Sequence, residues 1–135
     1  MIEKTLSIIK PDAVERNLEE DIKSIFSKNN LTIKDSKKIH ISKEEASEFY
    51  RVHQSKPFYD DLCSYLSSGP IVVMILEGKN AVLLNRELMG ATDPKKAKEN
   101  TIRKLYGLSI DKNSVHGSDS VENAKKEIDF FFKND

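Results

Sequence analysis

The sequence predicts an α+β sandwich, a sheet layered against helices, and three observations carry that prediction. Strand-like and helix-like segments alternate along the chain. Two helical segments fall between the second and third strands. One short segment, residues 71–76, is apolar at every position, as a central strand buried on both faces is. At 135 residues the chain suits a single domain, so residues 1–135 are read as one unit. No repeat, low-complexity segment or Pro/Gly/Ser linker divides it.

The elements follow in order. Residues 5–10 read as a strand ended by Pro11. Ile22, Ile25 and Phe26 have helical spacing, and Asn29-Asn30 suits a left-handed cap. Residues 31–41 read as a strand with a polar middle. Ser42 with Glu45 forms a capping-box pattern. Ala46, Phe49, Tyr50 and His53 then mark one helical face. A second short helix spans 57–68, with Phe58, Leu62, Tyr65 and Leu66 inward and Gly69-Pro70 as its stop. After the apolar strand, residues 80–89 form a helix closed by Gly90. Residues 91–115 are a long polar excursion, which in a compact domain is usually functional. Ser118, Asp119 and Ser120 are N-cap types for a last helix over 121–132, with Val121, Ala124, Ile128, Phe131 and Phe132 on its inner face. The expected topology is ferredoxin-like: a four-stranded antiparallel sheet with helices on one face.

Composition narrows the function. Apolar residues make up 38% and charged residues 33%, as in a soluble globular protein. Lys plus Arg equals Asp plus Glu, 22 against 22, so nothing draws the whole molecule to nucleic acid or an acidic membrane. Any basic site must be local. The single cysteine, Cys63, lies among Leu62, Tyr65 and Leu66 and reads as a small core residue. One cysteine and no signal peptide point to a cytoplasmic location. The apolar run 71–76 is too short to span a bilayer.

The richest segment is Asn113-Ser114-Val115-His116-Gly117-Ser118-Asp119-Ser120. A helix N-terminus offers free N–H groups to phosphate, and Gly117 lets the backbone approach closely. A neutral imidazole there can attack phosphorus if a hydrogen bond fixes its tautomer. Taken alone, the pattern more often describes a surface histidine beside a helix cap. Lys10, Arg86 and Arg103 are candidates to meet charge on phosphate oxygens, against the alternative that each is a solvated cation. Phe58 is either a base-stacking platform or a core anchor, and Tyr50, His40 and His53 share that ambiguity. No G-x-x-x-x-G-K-[ST] occurs, nor H-R-D, D-F-G, a cysteine pair or His-x-x-x-His. No resident metal is expected.

Further segments complete an ordered set. They are Thr5-Leu6-Ser7-Ile8-Ile9-Lys10-Pro11-Asp12-Ala13-Val14, Lys56-Pro57-Phe58-Tyr59, Ser68-Gly69-Pro70 and Leu76-Glu77-Gly78. Later come Asn85-Arg86, Met89-Gly90-Ala91-Thr92-Asp93-Pro94 and Thr101-Ile102-Arg103. With 113–120 they resemble the nucleoside diphosphate kinase family from about residue 3 to residue 132. The resemblance implies a phosphotransferase that moves the γ-phosphoryl of a nucleoside triphosphate, typically ATP, to a nucleoside diphosphate by a ping-pong route. It implies that His116 is the nucleophile and that Lys10, Arg86, Thr92 and Arg103 hold phosphates. Lys10 and Asn113 would also reach the ribose 3′-hydroxyl. Phe58 would stack on the base, with Ile110 on its other face and Leu62 nearby. Tyr50 would lie beside the histidine, and Ser118 and Glu127 would orient it. Mg²⁺ would come on the nucleotide's phosphates. A homo-oligomer, hexamer or tetramer, is implied, with no membrane and no specific nucleic acid as partner.

Departures from the family's pattern are few. Glu20, Asn30 and Asn100 stand where glycine is usual, and Tyr106 where phenylalanine is common. The chain stops soon after Phe132, without the extension of eukaryotic members, which reads as a short bacterial form. Two rivals remain: an RNA-binding ferredoxin-like module, and a catalytically silent nucleotide-binding relative. Strands without aromatics and a zero net charge argue against the first. Intact His116, Lys10, Arg86, Arg103 and Asn113 argue against the second.

Overall fold

A computed structural model of the chain describes residues 2–51, 54–109 and 112–132. The chain opens with β1 (Ile2–Ile9), α1 (Pro11–Glu15), α2 (Glu19–Lys28) and β2 (Thr32–Ile39). It continues through α3 (Lys43–Phe49), α4 (Tyr59–Leu66), β3 (Ile71–Lys79) and α5 (Ala81–Met89). A 3-10 turn (Pro94–Lys96), α6 (Ile102–Tyr106), β4 (Val115–Gly117) and α7 (Val121–Phe132) complete it.

The strands form one sheet in the order β2-β3-β1-β4, every pairing antiparallel. This is the expected ferredoxin-like arrangement. The helical cover is heavier than expected. Ile9, Val72, Met74, Leu76 and Val115 face one core with Ile22 and Phe26 of α2, Ala81 and Met89 of α5, and Ile102 of α6. Leu6, Ile8, Ile71 and Val73 alternate to the other face. There they meet Ala46 of α3, Cys63 and Leu66 of α4, and Phe131 and Phe132 of α7. Helices therefore cover both faces, not one. The apolar run 71–76 already required this, since a strand with one open face alternates.

Local rules set most boundaries. Pro11 supplies the fixed φ that suits a first helical position, so α1 begins where the strand was expected only to end. The capping box forms: Ser42 Oγ accepts from Glu45 N at 3.1 Å, and Glu45 Oε1 accepts from Ser42 N at 3.0 Å. Such a cap stabilises a helix by about 1 kcal/mol. Asn30 and Asn100 both adopt positive φ, at 70° and 68°, so asparagine meets the left-handed geometry that glycine otherwise serves. Glu20 is the second residue of α2 and is exposed.

The polar excursion 91–115 contains α6 and leads into β4. Phe58 is 44% exposed, and Cys63 with Leu66 takes the inward place on α4. Val121 is exposed although Ala124, Phe131 and Phe132 are buried. His53 lies outside the described residues.

Candidate active site

His116 occupies the middle of β4. Its partner across the ladder is Ile8, and Val115 pairs with Ile9. The sheet, not a helix cap, therefore fixes the imidazole: α7 begins five residues later. Ser120 caps that helix, its Oγ accepting from Asn123 N at 3.1 Å. Gly117 is needed for space. A Cβ there would run into Asn85 Nδ2 and lie 2.8 Å from Met89 Cε, so the close approach is to α5.

The imidazole is held from two sides. His116 Nε2 donates to Glu127 Oε1 at 3.0 Å, and the same oxygen accepts from Ser118 Oγ at 2.8 Å. In a neutral ring this bond puts the proton on Nε2 and leaves the lone pair on Nδ1. Glu127 sits on the inner side of α7, which packs on β1, so the carboxylate has a rigid base. On the other flank the Phe49 ring meets the imidazole edge-to-face, centroids 5.3 Å apart at 74°. Phe49 also contacts Tyr50, Phe130 and Phe131 at 5.1–5.6 Å. Tyr50 is buried, 6.5 Å from the imidazole between ring centroids. Burial, with Glu127 nearby, pushes its hydroxyl's pKa far above the usual value, so it stays a neutral phenol.

Lys10 and Asn113 come together beside this strand. Lys10 leaves β1 in extended conformation, on the face that Ile8 and His116 share. Its Nζ donates to Asn113 Oδ1 at 2.9 Å, and both residues are buried. Asn113 Nδ2 donates to Thr92 O at 3.1 Å, tying the excursion to the site.

Arg103 is buried at the start of α6. Its Nη1 donates to Gly90 O at 3.0 Å and its Nη2 to Val115 O at 2.9 Å. Gly90 reaches Arg103 in a backbone conformation with φ 85°, which side chains rarely adopt. Burial first, and the Arg86 cation second, lower the Arg103 pKa to about 10, so it remains charged near neutrality. Two guanidiniums that repel each other favour an anion nearby. Arg86, Thr92 and Arg103 line one cavity of about 370 Å³. His116, Glu127 and Phe49 line another of about 310 Å³. A wider groove of about 1050 Å³ between β2, α3 and α7 holds none of the expected site residues. His40 lines it and donates from Nε2 to Ser67 O at 2.8 Å.

Phe58 stands at the start of α4 with its ring exposed and Lys56 Nζ 5.6 Å from its centroid. Leu62 is half-buried and lines a 180 Å³ cleft with Tyr65 and Lys112. Ile110, expected opposite Phe58, lies outside the described residues. Sequence reasoning missed Phe49, whose signal was its place beside Tyr50 on an inward helical face. It also missed Asp12, Arg16 and Ser114, for which only the neighbourhood of Lys10 and Asn113 gave a hint.

Comparison with known proteins identifies the family. The family profile described as nucleoside diphosphate kinase matches residues 3–135. A nucleoside diphosphate kinase of a Nitratiruptor species is 60% identical over 131 residues, covering 97% of this chain and 96% of that protein. One from Campylobacter lari matches to the same extent. Among solved structures, the nucleoside diphosphate kinase of Aquifex aeolicus superposes with a TM-score of 0.96 at 40% identity. That match covers 99% of this chain and 97% of the other. With a histidine poised on the sheet, arginines around a cavity and a match along nearly its whole length, the chain belongs to the nucleoside diphosphate kinase family of phosphotransferases.

Proposed function

We propose that this enzyme carries the phosphoryl group on His116, as a phosphohistidine formed at Nδ1. The observation that carries the reading is the 3.0 Å bond from His116 Nε2 to Glu127. That bond holds the ring proton on one nitrogen and leaves the other as nucleophile. The Nδ1 lone pair attacks the γ-phosphorus of a bound nucleoside triphosphate. The bond from phosphorus to the bridging oxygen breaks, and a nucleoside diphosphate leaves with that oxygen. The imidazolium charge that develops is met by the Glu127 carboxylate. A second nucleoside diphosphate then attacks the phosphohistidine with a terminal oxygen, and Nδ1 departs. ATP is the typical donor.

Lys10, Arg86, Thr92 and Arg103 hold the phosphates, where charge gathers in the transition state. Mg²⁺ enters with the nucleotide as part of the substrate. Phe58 stacks on the base, with Leu62 and Ile110 beside it. Stacking accepts any base, because every base has a π-face. Lys10 and Asn113 reach the ribose 3′-hydroxyl. Tyr50 and Ser118 keep the nucleophile and its carboxylate in place.

The molecule acts as a homo-oligomer, a hexamer or tetramer, in the cytoplasm. Exposed Leu83, Leu105 and Leu108 support self-association, and sedimentation would give the count. No helix among the described residues is long and apolar enough to cross a membrane. An RNA-binding role is disfavoured because helices cover both sheet faces. The mechanism is tested with γ-labelled ATP. A phosphoprotein stable to base and labile to acid is expected, and its absence removes both His116 and the enzyme from the reaction described.

A further inference from the structure

Lys10 and Asn113, the pair proposed to reach the ribose, stand 103 residues apart in sequence. Each is followed closely by a residue of one buried network. Asp12 lies two residues after Lys10 and is 6% exposed. Ser114 follows Asn113 and is fully buried.

The Asp12 carboxylate is saturated with donors. One oxygen accepts from the Tyr65 hydroxyl of α4. The other accepts from Ser114 Oγ at 3.1 Å and from Arg16 Nη2 at 3.1 Å. Arg16 also donates to Tyr106 O, so the same group clips the end of α6. Meanwhile Lys10 N donates to Ser114 O at 2.8 Å. Ser114 is thus gripped at its side chain by Asp12 and at its backbone by Lys10. It holds φ 76°, the only positive φ among described non-glycine residues that is not an asparagine. A serine persists there only where its surroundings over-determine the backbone. Pro11 fixes the step from Lys10 to Asp12, which makes the link short and stiff.

We infer that Asp12 is a positioning residue for the ribose end of the site, holding Asn113 against Lys10 through Ser114. This rests on the proposal that Lys10 and Asn113 bind the 3′-hydroxyl. Asp12 itself touches no substrate: both its oxygens are engaged by protein donors. Its effect is to set the angle at which the Asn113 amide and the Lys10 ammonium meet the sugar.

The test compares two acceptors of phosphoenzyme, ADP and 3′-deoxy-ADP, by rapid-mixing rates. The wild type should favour ADP. Asp12→Ala should lower the ADP to 3′-deoxy-ADP rate ratio by about 5-fold or more, chiefly by slowing ADP, because a misaimed hydrogen-bonding pair loses what only the hydroxyl supplies. Asp12→Asn should keep more of the ratio, since its amide oxygen still accepts from Ser114. Ser114→Ala deletes one hydroxyl and leaves Asp12, Arg16 and Tyr65 in place, so it tests the link even if Asp12→Ala folds poorly. It should lower the ratio in the same direction. Equal slowing of both acceptors in folded Asp12 and Ser114 variants would overturn the inference, leaving the network a structural brace. A wild type indifferent to the hydroxyl would instead remove the ribose reading, and the inference with it.

Discussion

The proposed nucleophile and the proposed nucleotide cradle are built on opposite plans. His116 is pinned by a strand partner, a carboxylate and an aromatic ring. Its side chain and that of Glu127 are each only 22% exposed. Arg86, Thr92 and Phe58 instead reach out from helix surfaces and loops, exposed. Arg103 lies between these plans, buried but facing a cavity with Arg86 and Thr92. With the proposed roles, the difference teaches how one site would serve many substrates. In-line attack needs its atom held within a fraction of an ångström, so that part is built into the core. Recognition by stacking and charge tolerates variation, so that part is left on the surface.

The strongest way to break this comparison is His116→Ala. Phosphoenzyme should vanish and turnover fall by on the order of 10³-fold or more, while nucleotide affinity and the unfolding midpoint stay close to wild type. Transfer at the wild-type rate would mean the pinned atom is not the reacting one.

Next in size is Glu127. Glu127→Ala should slow single-turnover phosphorylation of His116 by roughly 10–100-fold, as losing an orienting partner does elsewhere. Glu127→Gln should be milder, because its amide oxygen still accepts the ring N–H. If both variants phosphorylate at the wild-type rate, the backbone alone orients His116 and the contrast with the cradle weakens.

Phe58→Ala probes the cradle. Purine and pyrimidine nucleotides should bind more weakly by about 1–3 kcal/mol, alike for each, with the phosphorylation rate at saturation little changed. A loss confined to one base, read by titration calorimetry, would show edge reading rather than stacking. The smallest effect belongs to Thr92→Ala, where one hydrogen bond from an uncharged hydroxyl is at stake. KM should rise about 5-fold, near 1 kcal/mol, with kcat held. A fall in kcat with KM unchanged would move Thr92 to the pinned side of the comparison.

Much of the fold was legible because its signals are local. Ser42 and Glu45 spell out a cap within one turn, and the helix over 121–132 shows in its spacing. Asn30 carries the left-handed turn expected of it, and Asn100, which stands where glycine is usual, adopts one too. What escaped depends on distant partners. A three-residue strand such as 115–117 has no period to read, and it becomes a strand only by pairing with β1. The residues proposed for the chemistry were named from motifs, yet their surroundings were not. Phe49 reads as an ordinary core residue until α7 brings Phe130 and Phe131 to it. Asp12 has no evident role in the sequence until Ser114 arrives from the far end of the chain. The one-faced sheet was an error of weighting, since the continuous run 71–76 said otherwise.

Gly117 carries a consequence for how this chain can vary. The space above it is filled by the side-chain ends of Asn85 and Met89, so a Cβ at 117 would force those side chains of α5 to shift. A library randomised at 117 and selected for activity should return glycine almost alone. Substitution would be admitted more readily together with smaller residues at 85 or 89. Drift at this position is therefore limited by a neighbour's bulk rather than by chemistry, and a change at 117 is coupled to the residues at 85 and 89.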